Sequence, residues 1–266
     1  MTGTERSIQF RGTTLRAWVH GSADKPWLAI SHGMALDSAS FLPLIERLSS
    51  RWRVLRWDFP GHGKSGPLPD PFDMNACVDA FEAVLADAGV DKAAHLGFSF
   101  GGIVAQLFAR RQPERVSALI AYGCLTPLFV KPFPAPVRWL GEWHVTRGDW
   151  DAIRARFAAM CSIKEPVRKD VVAAMASLNK VTFRRMAKAF YGVNAYEPAA
   201  RFACPLMYVR GDQDANNPFL KSAEAALRKG HPSLVSEIVP DAGHCAHQDN
   251  PDAFNAAIER FLARVA

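Results

Sequence analysis

The chain has 266 residues, 49% apolar and 22% charged, a balance that suits one large globular domain or one domain carrying an insertion and excludes a disordered or disulfide-stapled miniature. Its five scattered cysteines lack CxxC spacing, which points to reduced thiols rather than a disulfide framework or zinc, and no apolar run is long enough to span a bilayer. The net charge of +6 sits between Arg147 and Lys188, where ten Lys/Arg face four Asp/Glu; without aromatic interleaving or a nucleic-acid module this reads as a solvated helical face, not a nucleic-acid site. The opening "MTGTERSIQFRG" has no apolar h-region, so the expected location is cytoplasmic.

In chain order, "SIQF" and "TLRAWV" read as two short strands, with a hairpin turn at Arg11-Gly12. "WLAI" and "WRVLRW" are apolar runs bounded by turn residues, as buried parallel strands should be, and "DSASFLPLIERLSS" between them has helical periodicity. "MNACVDAFEAVLADAG" is a helix ending at a glycine. Strand "AAHLGF", helix "GGIVAQLFARR" and strand "VSALIAYG" follow. After Cys124 the texture changes: four prolines within ten residues exclude a helix interior or central strand, and from about Asp149 to Ala195 the pattern is helical. Strand "PLMYVRG", helix "PFLKSAEAALRKG", strand "VSEIVP" and helix "NPDAFNAAIERFLARV" then resume the alternation.

Strand–helix alternation predicts an α/β fold with a mostly parallel, doubly wound sheet. Residues 1–123 and 199–266 would form the core domain, with residues 124–198 inserted as a mostly helical lid. An insertion after a strand's carboxyl end stands at the edge where open α/β sheets bind ligands.

"GFSFGG" places Ser99 at a strand–helix junction. A tight turn there needs small neighbours, and Gly97 and Gly101 supply them, while Gly102 lets the helix pack close to the strand. The new helix also directs amide N–H groups and its positive dipole end at the serine. A serine needs a base, and "VPDAGHCAHQDNP" places His244 in the loop before the last helix. "VRGDQDANNP" offers two carboxylates, Asp212 and Asp214, in the loop after the preceding strand. Ser, Asp, His, each on its own loop at one sheet edge, is the chain order of α/β-hydrolases.

On "SHGMALDS" (31–38), "DFPGHGKS" (58–65), "GFSFGG" (97–102) and the terminal "GDQD…GHCAHQDNP", the chain resembles a lidded serine hydrolase of the α/β-hydrolase superfamily, of carboxylesterase or lactonase type. The resemblance implies oxyanion-hole amides at Met34 and Phe100, and an acid three residues after the glycine, which is Asp214, with Asp212 as fallback. It also implies a structural role for His62. His32 is expected to hydrogen-bond within its loop, and His95 to lie in or near the core. Cys245 is expected to be a small buried residue, and Asp249 to favour the N-terminus of the final helix. His247 lies three residues after His244, but this spacing lacks a second ligand cluster, so neither a metal nor a cofactor is expected.

A serine nucleophile argues against dehalogenase or epoxide-hydrolase chemistry, which uses an aspartate in this fold, and favours attack on a carbonyl. The expected reaction is cleavage of a small-molecule carboxylic ester or lactone through an acyl-enzyme. Alternatives are hydrolysis of a carbon–carbon bond in a ring-cleavage product or, with little turnover, ligand binding by a reused fold. The insertion is rich in aromatics, among them Phe129, Phe133, Trp139 and Trp143; of these Trp139, Trp143 and Phe129 are candidates for substrate contact.

Overall fold

A computed structural model describes residues 3–132 and 134–265; Phe133 lies outside the described residues. Strands β1 (Thr4–Phe10) and β2 (Thr13–His20) form the expected hairpin, with Phe10 opposite Thr13 and positive φ at both Arg11 and Gly12. The remaining strands are β3 (Trp27–Ser31), β4 (Arg53–Asp58), β5 (Ala93–Phe98), β6 (Val116–Tyr122), β7 (Leu206–Gly211) and β8 (Val235–Val239). They make one eight-stranded sheet in the order β1-β2-β4-β3-β5-β6-β7-β8. The pairings of β1 with β2 and of β2 with β4 are antiparallel and the rest are parallel. β5 and β7 are buried along their whole length, which is why they read as unbroken apolar runs instead of alternating ones.

Helices α1 (Leu42–Leu48), α2 (Met74–Asp87) and α3 (Phe100–Arg111) connect the first parallel strands. Next come α4 (Ala135–Thr146), α5 (Trp150–Cys161), α6 (Glu165–Ala174) and α7 (Lys180–Gly192), all between β6 and β7. The chain closes with α8 (Asn217–Gly230), the short α9 (Ala246–Asp249) and α10 (Pro251–Leu262). The core divides into two layers. Phe81 of α2, Phe100 and Phe108 of α3 and Leu227 of α8 pack in one, and Leu44 of α1 with Phe254 and Phe261 of α10 in the other. Ile153, Val171 and Phe183, from α5, α6 and α7, are fully buried and join the second layer.

α4 departs from the sequence reading, which took its proline-rich stretch as non-helical. Pro134 is the N-cap and Pro136 stands in the first turn, where a missing N–H breaks no helical bond.

Candidate active site

Ser99 alone separates β5 from α3, and reversing the chain in one residue forces it to φ 52°, ψ −111°, a region that L-residues avoid. Its N–H donates to Tyr122 O at 2.8 Å, tying the turn to the end of β6. A Cβ at Gly97 would stand 2.6 Å from Gly102 Cα, and one at Gly101 would stand 2.5 Å from His32 O and 2.7 Å from Ser31 C. These neighbours are backbone atoms and cannot swing aside. Gly101→Ala is therefore expected to cost about 1–3 kcal/mol of stability in a urea melt. An unchanged midpoint would mean that α3 shifts to admit the methyl group.

The loops after β7 and β8 converge on the serine. His244 Nε2 lies 2.9 Å from Ser99 Oγ, and His244 Nδ1 lies 2.6 Å from Asp214 Oδ2. Asp214 Oδ1 accepts from Asn216 N–H at 2.8 Å and from Asn216 Nδ2 at 3.1 Å, so both carboxylate oxygens are engaged. Asp212 does something else: its Oδ1 accepts from Ala242 N–H at 3.0 Å, tying its side chain to the backbone of the loop that carries His244. Gly211 permits that approach, since a Cβ there would lie 2.8 Å from Ala242 C.

Burial works against a charged His244, but the Asp214 charge and hydrogen bond outweigh it and raise the imidazole pKa above its ordinary value. Burial likewise pushes Asp214 up, and His244 and Asn216 more than offset this to hold the carboxyl low. Only neutral His244 can take a proton, and a raised pKa keeps the imidazolium protonated to higher pH. The acid limb of kcat/KM is therefore expected to have its midpoint above the free-histidine value of about 6.5. A pH profile with that midpoint below 6 would contradict the pairing.

The turn after β3 comes up against Ser99: a Cβ at Gly33 would stand 3.5 Å from Ser99 Cβ. A Leu36 N–H to Gly33 O bond of 3.3 Å closes it and leaves the Met34 N–H out. Phe100, the first residue of α3, has an N–H with no intrahelical acceptor. Two buried histidines set the turn. His32 donates from Nδ1 to Gly33 O at 2.8 Å and accepts at Nε2 from Phe59 N–H at 3.0 Å. His62 accepts at Nε2 from Ala35 N–H at 3.0 Å and donates from Nδ1 to Pro60 O at 3.1 Å. Burial, with His32 nearby, pushes His62 down to about 3, so the neutral ring that this bonding needs persists. Asp58 braces the same region, accepting from Ser38 N–H, Ser38 Oγ and Lys64 N–H at 2.7–2.9 Å. His95 is buried in the core between the Phe81 and Phe108 rings.

Several supports of the His244 loop escaped the sequence reading. Tyr122 OH donates to His244 O at 2.9 Å and accepts from His247 N–H at 3.1 Å; His247 Nδ1 is 3.0 Å from the same hydroxyl. His247 stacks on Phe41, and burial beside His244 pushes it down to about 3. Asp249 stands just before the N-cap of the final helix and also braces the His244 loop. It accepts from Gly243 N–H at 2.7 Å and from Ser162 Oγ, while Asn250 caps α10 through Ala253 N–H. Cys245 is buried, and its N–H donates to Cys161 O at 2.6 Å, joining the loop to the end of α5. Tyr122, Phe41, Cys161 and Ser162 lie scores of residues from the loop they hold, so these contacts leave no local signal.

The three candidates for substrate contact are dispersed. Trp139 and Trp143 stand 66% and 45% exposed on α4, and Phe129 packs edge-on against Phe202 and His231 beside a cleft with Tyr196 and Arg201. None of the three shares a ring contact or hydrogen bond with Ser99, His244 or Asp214 among the described residues. Among those residues, no cluster of three or more His, Cys, Asp or Glu is arranged to hold a metal ion, and no helix is long and apolar enough to cross a membrane.

The sequence pattern of the Alpha/beta hydrolase family matches residues 28–257. The pimeloyl-[acyl-carrier protein] methyl ester esterase of Serratia marcescens is 30% identical over 251 residues, covering 89% of this chain and 93% of that protein. A putative carbamate hydrolase of Agrobacterium fabrum is 26% identical over 262 residues, covering 92% and 96% respectively. A hydrolase from Pseudomonas aeruginosa, with a solved structure, superposes with a TM-score of 0.85 at 24% identity over 98% of both chains, a likeness of fold.

Proposed function

The chain belongs to the alpha/beta hydrolase family, and we propose that it is a serine hydrolase that cleaves a carboxylic ester through an acyl-enzyme. The observation that carries this reading is the unbroken chain of contacts from Ser99 Oγ to His244 Nε2, and from His244 Nδ1 to Asp214, at 2.9 and 2.6 Å. In the first half-reaction His244 takes the Ser99 proton as Oγ attacks the carbonyl carbon, and Asp214 stabilises the imidazolium. The Met34 and Phe100 N–H groups receive the developing oxyanion, each contributing about 3 kcal/mol. His244 then protonates the departing alkoxide. In the second half-reaction it activates a water, and the acyl group leaves as the carboxylate.

An ester is favoured over a lactone or a carbon–carbon bond because the 30%-identical relative is a methyl ester esterase. Residues 124–198, which contain α4 to α7, act as the lid over a core formed by residues 1–123 and 199–266. Cys161 and Ser162, at the end of α5, bond to the His244 loop, so the lid is anchored next to the base.

The test is a chain-length series of p-nitrophenyl and methyl esters, run beside γ-lactones and a vinylogous β-diketone. Turnover of the esters at least tenfold above the other two, together with labelling of Ser99 by a fluorophosphonate, is the expected result. Preference for the lactone or the diketone would replace the substrate and keep the nucleophile. Absence of both turnover and labelling in the folded protein would overturn the reading.

A further inference from the structure

α4 is amphipathic in the wrong sense for a helix that buries its apolar side. Pro136, Trp139, Leu140 and Trp143 follow one another at i, i+3, i+4 and i+7, one continuous stripe along the helix. That stripe faces solvent: Trp139 is 66% exposed, Leu140 54% and Trp143 45%, with Val137 beside them at 49%. The inward side carries Arg138, Gly141, Glu142 and Val145, and Gly141 lies so close to α7 that a Cβ would stand 2.7 Å from the Tyr191 ring. A row of two indoles and a leucine in water is what a monomer's surface usually avoids, and it marks a face that something covers.

The charges around the stripe say what kind of cover fits. Arg147 stacks over the Trp143 ring at 4.8 Å, and Lys131 precedes the helix as an exposed cation. On α7, which packs against α4, Val181, Arg184 and Lys188 are exposed at i, i+3 and i+7. Arg147, Arg184 and Lys188 make no ion pair among the described residues, whereas neighbouring Arg154, Lys164 and Arg185 do. A second copy placed on this face would set like charge against like, which disfavours self-association. An anionic layer meets the opposite condition. Indoles prefer the depth of lipid headgroups, with cations beside them reaching the phosphates.

We propose that the outer face of α4 is a docking surface for an anionic phospholipid layer, on which the protein rests peripherally with the Trp139–Leu140–Trp143 stripe immersed. The proposal is independent of chemistry at Ser99, so a Ser99→Ala protein should dock as the wild type does.

The experiment is flotation of the full-length protein with vesicles of phosphatidylcholine alone, or of phosphatidylcholine mixed with phosphatidylglycerol. Binding to the mixed vesicles is expected to be at least tenfold tighter than to phosphatidylcholine, and to weaken as salt is raised. The double variant Trp139→Ser/Trp143→Ser should lose at least tenfold in binding while its circular-dichroism melt stays close to that of the wild type, since neither side chain belongs to the buried core. Arg184→Glu, an exposed position on α7 outside the apolar stripe, should weaken binding as well, a second route to the same result. Equal partition with and without phosphatidylglycerol, or binding unaltered in the double variant, would overturn the proposal. So would a concentration-dependent dimer by light scattering that the double variant abolishes, because the cover would then be a second copy.

Discussion

Ser99→Ala is expected to lower kcat by roughly 10⁴- to 10⁶-fold while leaving the fold in place. The loss is large because the hydroxyl is the group that would form the bond to carbon; His244 and the two amides, left alone, can only polarise a carbonyl and orient water. The fold should survive for a specific reason. The strain at φ 52° comes from a Cβ in the left-handed region, and alanine carries the same Cβ as serine. What disappears is one 2.9 Å contact to His244, a residue still held by Asp214 and by Tyr122. Single-turnover kinetics on the best ester, with a urea melt of both proteins, would check the two halves together. A variant that keeps more than a tenth of the wild-type kcat would remove Ser99 from the mechanism.

Asp214→Asn is expected to reduce kcat by about 10⁴-fold, and Asp212→Asn by no more than a few-fold. Asp214 meets donors at both oxygens: His244 Nδ1–H on one side, Asn216 N–H and Nδ2 on the other. An asparagine must turn its own NH₂ toward one of these. Facing His244, it drives the imidazole to the tautomer that carries hydrogen on Nε2, which cannot accept from Ser99. Facing Asn216, it sets donor against donor in a buried position. At position 212 the same substitution is mild, because the single backbone donor there, Ala242 N–H, is served as well by an amide oxygen. The two variants have the same change in charge, so comparing their kcat values isolates geometry from charge. If Asp212→Asn were the damaging one, the acid assignment would pass to that residue.

The pH profile separates this arrangement from a serine that merely lies near a histidine. A His244 without its carboxylate would lose the groups that raise its pKa most and keep the burial that lowers it, and the acid limb would move down. Asp214→Asn should therefore shift the residual activity's acid limb toward lower pH as well as reduce its height.

Much of this architecture is written locally. Apolar runs bounded by turns become the parallel strands, because a strand buried on both faces needs side chains that leave nothing polar in the core. Arg11-Gly12 makes the hairpin because two consecutive positive-φ residues match the twist of paired strands. The glycines around Ser99 are legible for a steric reason, and a Cβ at Gly97 or Gly101 does meet backbone. α4, whose stretch read as non-helical, carries its prolines at the cap and first turn, and periodicity cannot distinguish that from a broken helix.

The sequence by itself determined the α/β fold, the order of Ser99, Asp214 and His244 along the chain, and the loop after a strand's end on which each one sits. All of these follow from short-range patterns of polarity and backbone freedom. Only the tertiary structure shows where the two carboxylates point: Asp214 meets His244 Nδ1, and Asp212 turns to the Ala242 N–H. It alone also assigned Asp249 to the His244 loop, tied that loop to Tyr122 and Cys161, and turned Trp139 and Trp143 to the outside. Those outcomes depend on which loops and helices meet once the sheet has formed. Contacts such as those of Tyr122 and Cys161 with the His244 loop join residues far apart in sequence, so packing sets them and no local pattern encodes them.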